Sequence, residues 1–451
     1  MRPEVATLLT GCLLYINCPA ILTQELGLPP MVAGGFILLL GFPLSHTLVI
    51  RKERFRVDAT FGLMLAFLGF LLLSTLAAVD TGFALERVWQ YVAEGLLLYW
   101  LVVNVVRDGP TLRKLFWVLL AAGAVVAALS LYQEITGSYR QEFGGLAHRR
   151  IMITAEGELA PGAESRQRRA QGPVDEPNRF AQILVVLVPL GVFLYRTTRS
   201  PGQKLAAAAL GALALTGIAL TMSRGGIVTV GLMAVGMVFF GWIRARYLLA
   251  GTLALLAISP LFSPLFLYRI TSIVNARHLL GGSQAAQQQA DGAILGRTTE
   301  MLAALHVFRD HPLIGVGPGQ FARFYFMDYA QRADIKFRDI SVPRRAHSLY
   351  LELGAEHGAL GLGGFLAIAG LLMRRLWRAW RLWSGRSQEA ADLSVALWLS
   401  LFGYLSTGIF LHLSYQRYYW FLVAIASAAV HVLRQRRPAA AGEERAWRRS
   451  H

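Results

Sequence analysis

The sequence predicts an all-α polytopic membrane protein of about 12 transmembrane helices, with a large, partly helical outer loop between the ninth and tenth spans. Three observations lead there. Hydrophobic residues make up 55% of the 451 and charged ones only 16%, with a mean hydropathy of +0.46, far from the usage of soluble domains. Apolar runs of about 20 residues recur along nearly the whole chain, each long enough to cross a hydrocarbon core of roughly 30 Å as a helix. Basic clusters fall in every second connection between those runs, as on the cytoplasmic side of membrane proteins. A soluble multidomain protein is excluded.

The first run, 4–22, begins almost at Met1. It lacks a clear Ala-x-Ala site and a partner span follows directly, so it reads as a span rather than a cleavable signal peptide. Cys12 and Cys18, the only cysteines, both lie inside it. A disulfide framework for the outer loops is thereby excluded. The remaining spans are expected at 31–50, 59–79, 86–106, 114–134, 179–196, 205–222, 226–243, 247–267, 348–373, 394–413 and 417–434. Arg51 to Arg56, Arg107 to Lys114, Arg196 to Lys204, Arg244 to Arg246, Arg374 to Arg386 and the tail from Arg434 form the basic, cytoplasmic set. The segments 23–30, 80–85, 135–178, 223–225, 268–347 and 414–416 then lie outside, and both termini are expected in the cytoplasm. The organisation is spans one to nine over 1–267 with outer loop 135–178, a large periplasmic loop 268–347, spans ten to twelve over 348–434, and a basic cytoplasmic tail 435–451. The net charge of +17 would suggest nucleic acid in a soluble protein, but here its distribution has a topological explanation.

Loops as long as 135–178 and 268–347 are usually functional. Within the second, 279–293 is rich in Gly, Ala and Gln and reads as flexible. Thr298 to Asp310 has helical spacing, with Met301, Leu302, Leu305 and Phe308 on one side, and Pro312 ends it. Phe321, Phe324, Tyr325 and Tyr329, with Arg323 and Arg332 interleaved, suit an amphipathic helix at the lipid headgroups. No internal repeat supports an inverted-repeat transporter.

His347 stands out, at the junction of the long outer loop and the tenth span. On a helix, positions 347, 354, 358 and 361 share one face, so it would stand above three glycines that let another helix approach closely. The ordinary reading is an interfacial histidine near a helix start. Arg224, in Thr221-Met222-Ser223-Arg224-Gly225-Gly226, sits at a tight outer turn between apolar spans. Arginine at that depth faces a polar cavity or an anion, or else snorkels to headgroup phosphates, and the adjacent glycines leave the backbone open to a ligand. The outer loops hold many more arginines, among them Arg169, Arg297, Arg344 and Arg345, and almost no lysine. Arginine favours bidentate phosphate recognition, with generic attraction to anionic lipid as the alternative.

Asn178, after Asp175-Glu176-Pro177, opens the sixth span and fits its N-cap. His311 to Gly319 holds too many glycines for regular structure and must turn sharply. It has the makings of a phosphate nest, but no Gly-Lys-Ser/Thr follows to make a nucleotide loop. No HExxH, Cys/His cluster or aspartate pair provides for a metal. Few carboxylates fall inside spans, chiefly Glu94, Glu352 and Glu356, so a proton relay gains little support.

Taken together, these residues resemble the O-antigen ligases and related polysaccharide polymerases. That signature has His, then Asn, Ser or Gln, nine residues, then Gly-x-x-Gly, Thr or Tyr, and His347-Ser348 through Gly358 to Gly361 fits it. His311-Pro312 through Gly319, Arg169 to Asn178 and Ser223 to Gly226 also resemble family segments, over roughly 165–370. The resemblance implies an inner-membrane enzyme, active on the periplasmic face, that joins a glycan carried on undecaprenyl diphosphate to a lipid A core sugar without metal, nucleotide or other cofactor. It implies that Arg224 and Arg297 stabilise the departing diphosphate and that His347 accepts the proton of the attacking hydroxyl. Arg344, Arg345, Arg169, Asn178, Ser348 and Tyr350 are expected to bind substrate. Arg344 and Arg345 directly before the histidine depart from the family pattern and leave the second diphosphate arginine open. The rivals are an O-antigen polymerase, a protein O-oligosaccharyltransferase and, from another class, a solute transporter. A transporter would place polar groups near mid-membrane, whereas the distinctive ones here gather outside.

Overall fold

The structure is a computed structural model that describes residues 3–29, 35–151, 168–174, 176–250, 292–332, 342–412 and 416–436. It is mostly helical. Six helices are long and apolar enough to cross a membrane: Thr81–Val105, Gly109–Thr136, Pro177–Thr197, Pro201–Leu220, Leu349–Trp383 and Gln388–Phe410. A bent pair, Glu4–Tyr15 with Cys18–Leu26, passes the same test with a 60° break. Ile37–Ile50, Ala59–Thr75 and Arg224–Phe239 are apolar but shorter. The expectation of about 12 regular spans therefore holds only in part. The expected span 247–267 lies from 251 outside the described residues, as does the stretch expected to be flexible, 279–293, up to 291.

Two expected spans depart from regularity for visible reasons. Asn17 adopts left-handed backbone (φ 61°) where the first span breaks. Its side chain donates to the Pro173 carbonyl at 2.5 Å and accepts from Arg417, and Arg417 also pairs with Glu94 at 2.9 Å. A charge pair taken out of water holds only when further hydrogen bonds satisfy it, and Asn17 supplies one. The last helix, Gln416–Gln435, is buried from Arg417 to Val430, so it runs as a central strut. Asp58 caps Ala59–Thr75 by accepting from the Phe61 amide at 2.9 Å, and it also holds Ser427 and His431 of the strut at 2.8 and 3.0 Å.

Outside the bundle core lies a second, smaller core. Ala303, Ala304 and Val307 of the helix Gly292–Asp310 pack there with Phe321, Phe326, Tyr329, Ala346 and Ala355. The expected helix over 298–310 is thus present and longer, and 321–330 is helical as its aromatic spacing predicts. Its aromatic residues mainly fill this core, with Phe321 and Phe326 fully buried. Loop 135–178 contributes a two-stranded antiparallel sheet, His148–Ile151 with Arg168–Gly172. Helical periodicity gives no sign of it.

The long helix Leu349–Trp383 is broken at Gly358 (φ 63°, ψ −165°). The 311–317 segment closes the break: Val316 N–H donates to the Ala355 carbonyl (3.0 Å), Gly317 N–H to Glu356 (2.9 Å), and Ala359 N–H to Pro312 (2.7 Å). These amides are committed to backbone, so the glycine-rich turn is a splice and not a phosphate nest. The glycine stripe receives the outer helix and loop, not another span: a Cβ at Gly354 would lie 3.1 Å from Phe308, and one at Gly358 2.3 Å from the Leu313 backbone. Such a φ/ψ pair is essentially restricted to glycine. Gly358→Ala is expected to destabilise the protein by about 3 kcal/mol or more, combining backbone strain with a backbone clash. A thermal melt of purified protein within a degree of the parent would refute this account of the break.

Candidate active site

His347 does not sit on the helix. It precedes Leu349–Trp383 with φ 45°, left-handed backbone that costs a non-glycine residue on the order of 1–3 kcal/mol and persists only where neighbours over-determine it. They do so here, because Ala346 is fully buried in the outer core and Leu349 in the bundle core. The His347 backbone is thus clamped between the two cores. Arg345, just before, clasps both oxygens of Glu352, whose Oε2 also receives the Ala346 amide at 3.4 Å.

Three elements face the ring. From the helix Gly292–Asp310, Glu300 (1% exposed) brings Oε2 to 3.5 Å from His347 Nε2 and Oε1 to 3.4 Å from Arg344. From the segment after the Gln388–Phe410 helix pair, the His412 ring meets it edge-on at 5.5 Å. From the start of Pro177–Thr197 come Glu176 and the buried Arg179, 3.7 Å apart, with Arg179 also donating to the His412 carbonyl at 2.7 Å. Burial pushes the His347 imidazole down to about 4, helped by the positive charges of Arg297, Arg344 and Arg179 and opposed by Glu176. His347 is therefore neutral near pH 7. Burial would raise Glu176, but Arg179, His347, Asn178 and Arg297 outweigh it and hold the carboxyl below its usual range. His412 is pushed well down by burial and by Arg345 and Arg179.

A relay of polar contacts leads from here to Thr221, at the turn three residues before Arg224. Arg169, on the second strand, donates to the Asn178 side chain at 2.8 Å and to the Thr221 carbonyl at 2.8 Å, and Asn178 reaches Glu176 at 3.3 Å. Asn178 is consequently not the N-cap it resembles in sequence. Glu176 holds that position, with Pro177 next. Arg224 is the first residue of Arg224–Phe239, capped by Ser223, whose hydroxyl accepts the Gly226 amide at 3.2 Å. A guanidinium at a helix N-terminus adds its charge to the positive end of the dipole, a combination suited to anions. Gly226 is explained by packing, since a Cβ there would fall 2.9 Å from Ala181, and not by open backbone. Ser348 is the buried N-cap of the tenth span, and Tyr350 donates to the Leu405 carbonyl at 2.8 Å, which ties two spans together.

Sequence reasoning passed over Glu176, Arg179, Glu300 and His412. Glu176 alone carried a signal, as an acid directly before the proline that starts a span. Among the described residues, Glu25, Glu142 and His148 form a group with ligand atoms within 4.8 Å of one another. It lies at the foot of the two-stranded sheet and shares no residue with the site.

A bundle of apolar helices with an outer core beside it marks a multi-pass membrane protein, and a neutral histidine with arginines about it lies where the two cores meet. Residues 208–366 match the family model described as O-antigen ligase. The match contains Arg224, Arg297, Arg344, Arg345 and His347, and it supports a glycosyltransferase-like enzyme of lipid-linked glycan processing. No curated protein sequence matches the chain.

Proposed function

We propose that the protein is an O-antigen ligase that transfers a glycan from undecaprenyl diphosphate to a hydroxyl of a lipid A core sugar at the periplasmic face of the inner membrane. The observation that carries this reading is a neutral imidazole on a clamped backbone, ringed by guanidinium groups, inside the stretch that matches the family. In the reaction, the acceptor oxygen bonds to the anomeric carbon as the bond from that carbon to the diphosphate oxygen breaks. The acceptor proton passes to His347, and the electron pair leaves on the diphosphate. A single displacement of this kind inverts the anomeric centre.

Arg224, aided by Arg297, meets the negative charge that grows on the leaving group, and pre-placed donors of this kind need no reorganisation as the charge develops. Arg169 and Asn178 hold the turn that carries Arg224, and Arg344 is oriented by Glu300. Since guanidinium groups supply the stabilisation, transfer is expected to persist in EDTA without ATP. A strict requirement for an added divalent ion in a purified assay would sink the two-arginine account.

The decisive experiment reconstitutes purified protein with undecaprenyl diphosphate glycan and candidate acceptors. Transfer to a lipid A core is the expected result. Elongation of a second lipid-linked glycan instead would make the enzyme a polymerase, and transfer to a protein hydroxyl would make it a protein oligosaccharyltransferase.

A further inference from the structure

The far end of the helix Leu349–Trp383 carries a second concentration of charge. Arg374, Arg378 and Arg381 follow one another at the four- and three-residue steps that place side chains on one helix face, and all three are exposed. They begin about 24 Å of helix beyond the Gly358 break, at the other end of this helix from His347.

The acidic residues of this end are engaged by other groups. Asp58 takes Arg375 at 3.6 Å, and that guanidinium also donates to the Thr60 hydroxyl at 2.9 Å. Asp392 pairs with Arg196 at 2.9 Å and accepts from Trp242 Nε1 at 2.8 Å, and Glu389 lies 3.8 Å from Arg113. Among the described residues, Arg374, Arg378 and Arg381 form no ion pair. Like charges one helical turn apart repel, so this face costs the helix stability that a bound anion would restore. The preference of cytoplasmic connections for arginine explains why such residues gather at one end, but it is indifferent to where they point. Here Arg375 turns inward to Asp58 while the other three align outward.

Aromatic rings bring a second basic element to the same helix. Phe239 stacks on Trp377 at 5.9 Å and Phe240 meets Trp380 edge-on at 5.0 Å. The end of Arg224–Phe239 is thereby held there, and the exposed Arg244 and Arg246 follow it. In the other direction along Leu349–Trp383 the outward face turns apolar: Leu366 is 45% exposed, and Cβ atoms at Gly363 and Gly370 would meet open space. Cations above an exposed apolar strip, with tryptophans beside them, suit an amphiphile with an anionic head. We propose that this face binds an anionic phospholipid of the adjoining leaflet, with Arg374, Arg378 and Arg381 on its phosphate and its chains along 363–370.

The test uses full-length protein purified in neutral detergent, with bound lipid counted by native mass spectrometry as phosphatidylglycerol or phosphatidylcholine is added. Phosphatidylglycerol is expected to bind saturably and about tenfold or more tighter than phosphatidylcholine, the preference weakening as salt rises. The Arg374→Gln/Arg378→Gln/Arg381→Gln variant should lose about 10- to 100-fold in affinity for phosphatidylglycerol, with an unchanged thermal melt in detergent alone. Should the triple variant not fold, Arg378→Gln by itself should lose several-fold. Arg51→Gln/Arg54→Gln, which removes exposed charge from another basic connection, should bind as the parent does. Equal affinity for the two lipids overturns the proposal, as does parental affinity in the arginine variants. An equal loss in Arg51→Gln/Arg54→Gln would mean diffuse attraction in place of a site, and displacement by millimolar inorganic phosphate would mean that no lipid is recognised; either result overturns it too.

Discussion

His347→Ala is expected to lower turnover by about 10²- to 10⁴-fold, the usual worth of a general base, while binding of the lipid-linked donor stays measurable. The structure adds a pH signature. Burial and the guanidinium groups of Arg297, Arg344 and Arg179 bring the imidazole down to about 4, against Glu176. Glu300 and His412 also face the ring. The lone pair needed for proton uptake is therefore available throughout the neutral range, and the acid limb of kcat/KM, which reports the free enzyme, should fall near pH 4 and not near 6.5. The same depression bears on stability. Between about 6.5 and 4 the unfolded chain takes up a proton that the folded histidine refuses, so this residue's contribution to stability is present above 6.5 and declines as pH falls through that window. A folded His347→Ala protein with parental turnover would move the base elsewhere, and one that loses only donor affinity would assign His347 to the diphosphate.

Arg224→Lys should impair donor binding and turnover together, by about 10²-fold or more in kcat/KM. Lysine keeps the charge and the place at the helix N-terminus, but a point charge cannot make the two parallel hydrogen bonds of a guanidinium to a diphosphate. The His347 and Arg224 variants must differ in kind: the first in the chemical step, the second in both. Parental donor affinity in Arg224→Lys would show that Arg224 faces lipid headgroups and that the diphosphate is held by other arginines.

The sequence was informative where chemistry is local. The His347-Ser348 pair, the arginines beside it and the helix over 298–310 were all readable from residue type and spacing, because a helix repeats every 3.6 residues whatever surrounds it. Apolar run length also located six of the expected spans, which appear as helices long and apolar enough to cross a membrane. What the sequence did not disclose depends on partners far along the chain. Glu300 lies 47 positions before His347 and looks like an ordinary polar residue on a helix, yet burial at 1% makes it a neighbour of the imidazole. Arg179 reads as a first-turn cation of a span and is in fact buried against the His412 carbonyl. Asn178 had the composition of a cap, but Pro177 shifted the helix start by fixing the first helical position. The glycines were tied to the close approach of another helix, which Phe308 of Gly292–Asp310 supplies at Gly354, while at Gly358 it is the Leu313 backbone that comes close.

The splice at Gly358 also dictates an order of assembly. Around the break, Ala355, Glu356, Ala359 and Leu360 take backbone partners from the 311–317 segment, and in lipid an unsatisfied peptide group costs several kcal/mol. During synthesis the outer segment emerges first and the helix that needs it follows, so that helix can settle in the bilayer only once the earlier segment has folded back onto it. On this account the outer loop acts as a chaperone in cis for the tenth span, and the clamp that sets the His347 backbone is completed in the same event.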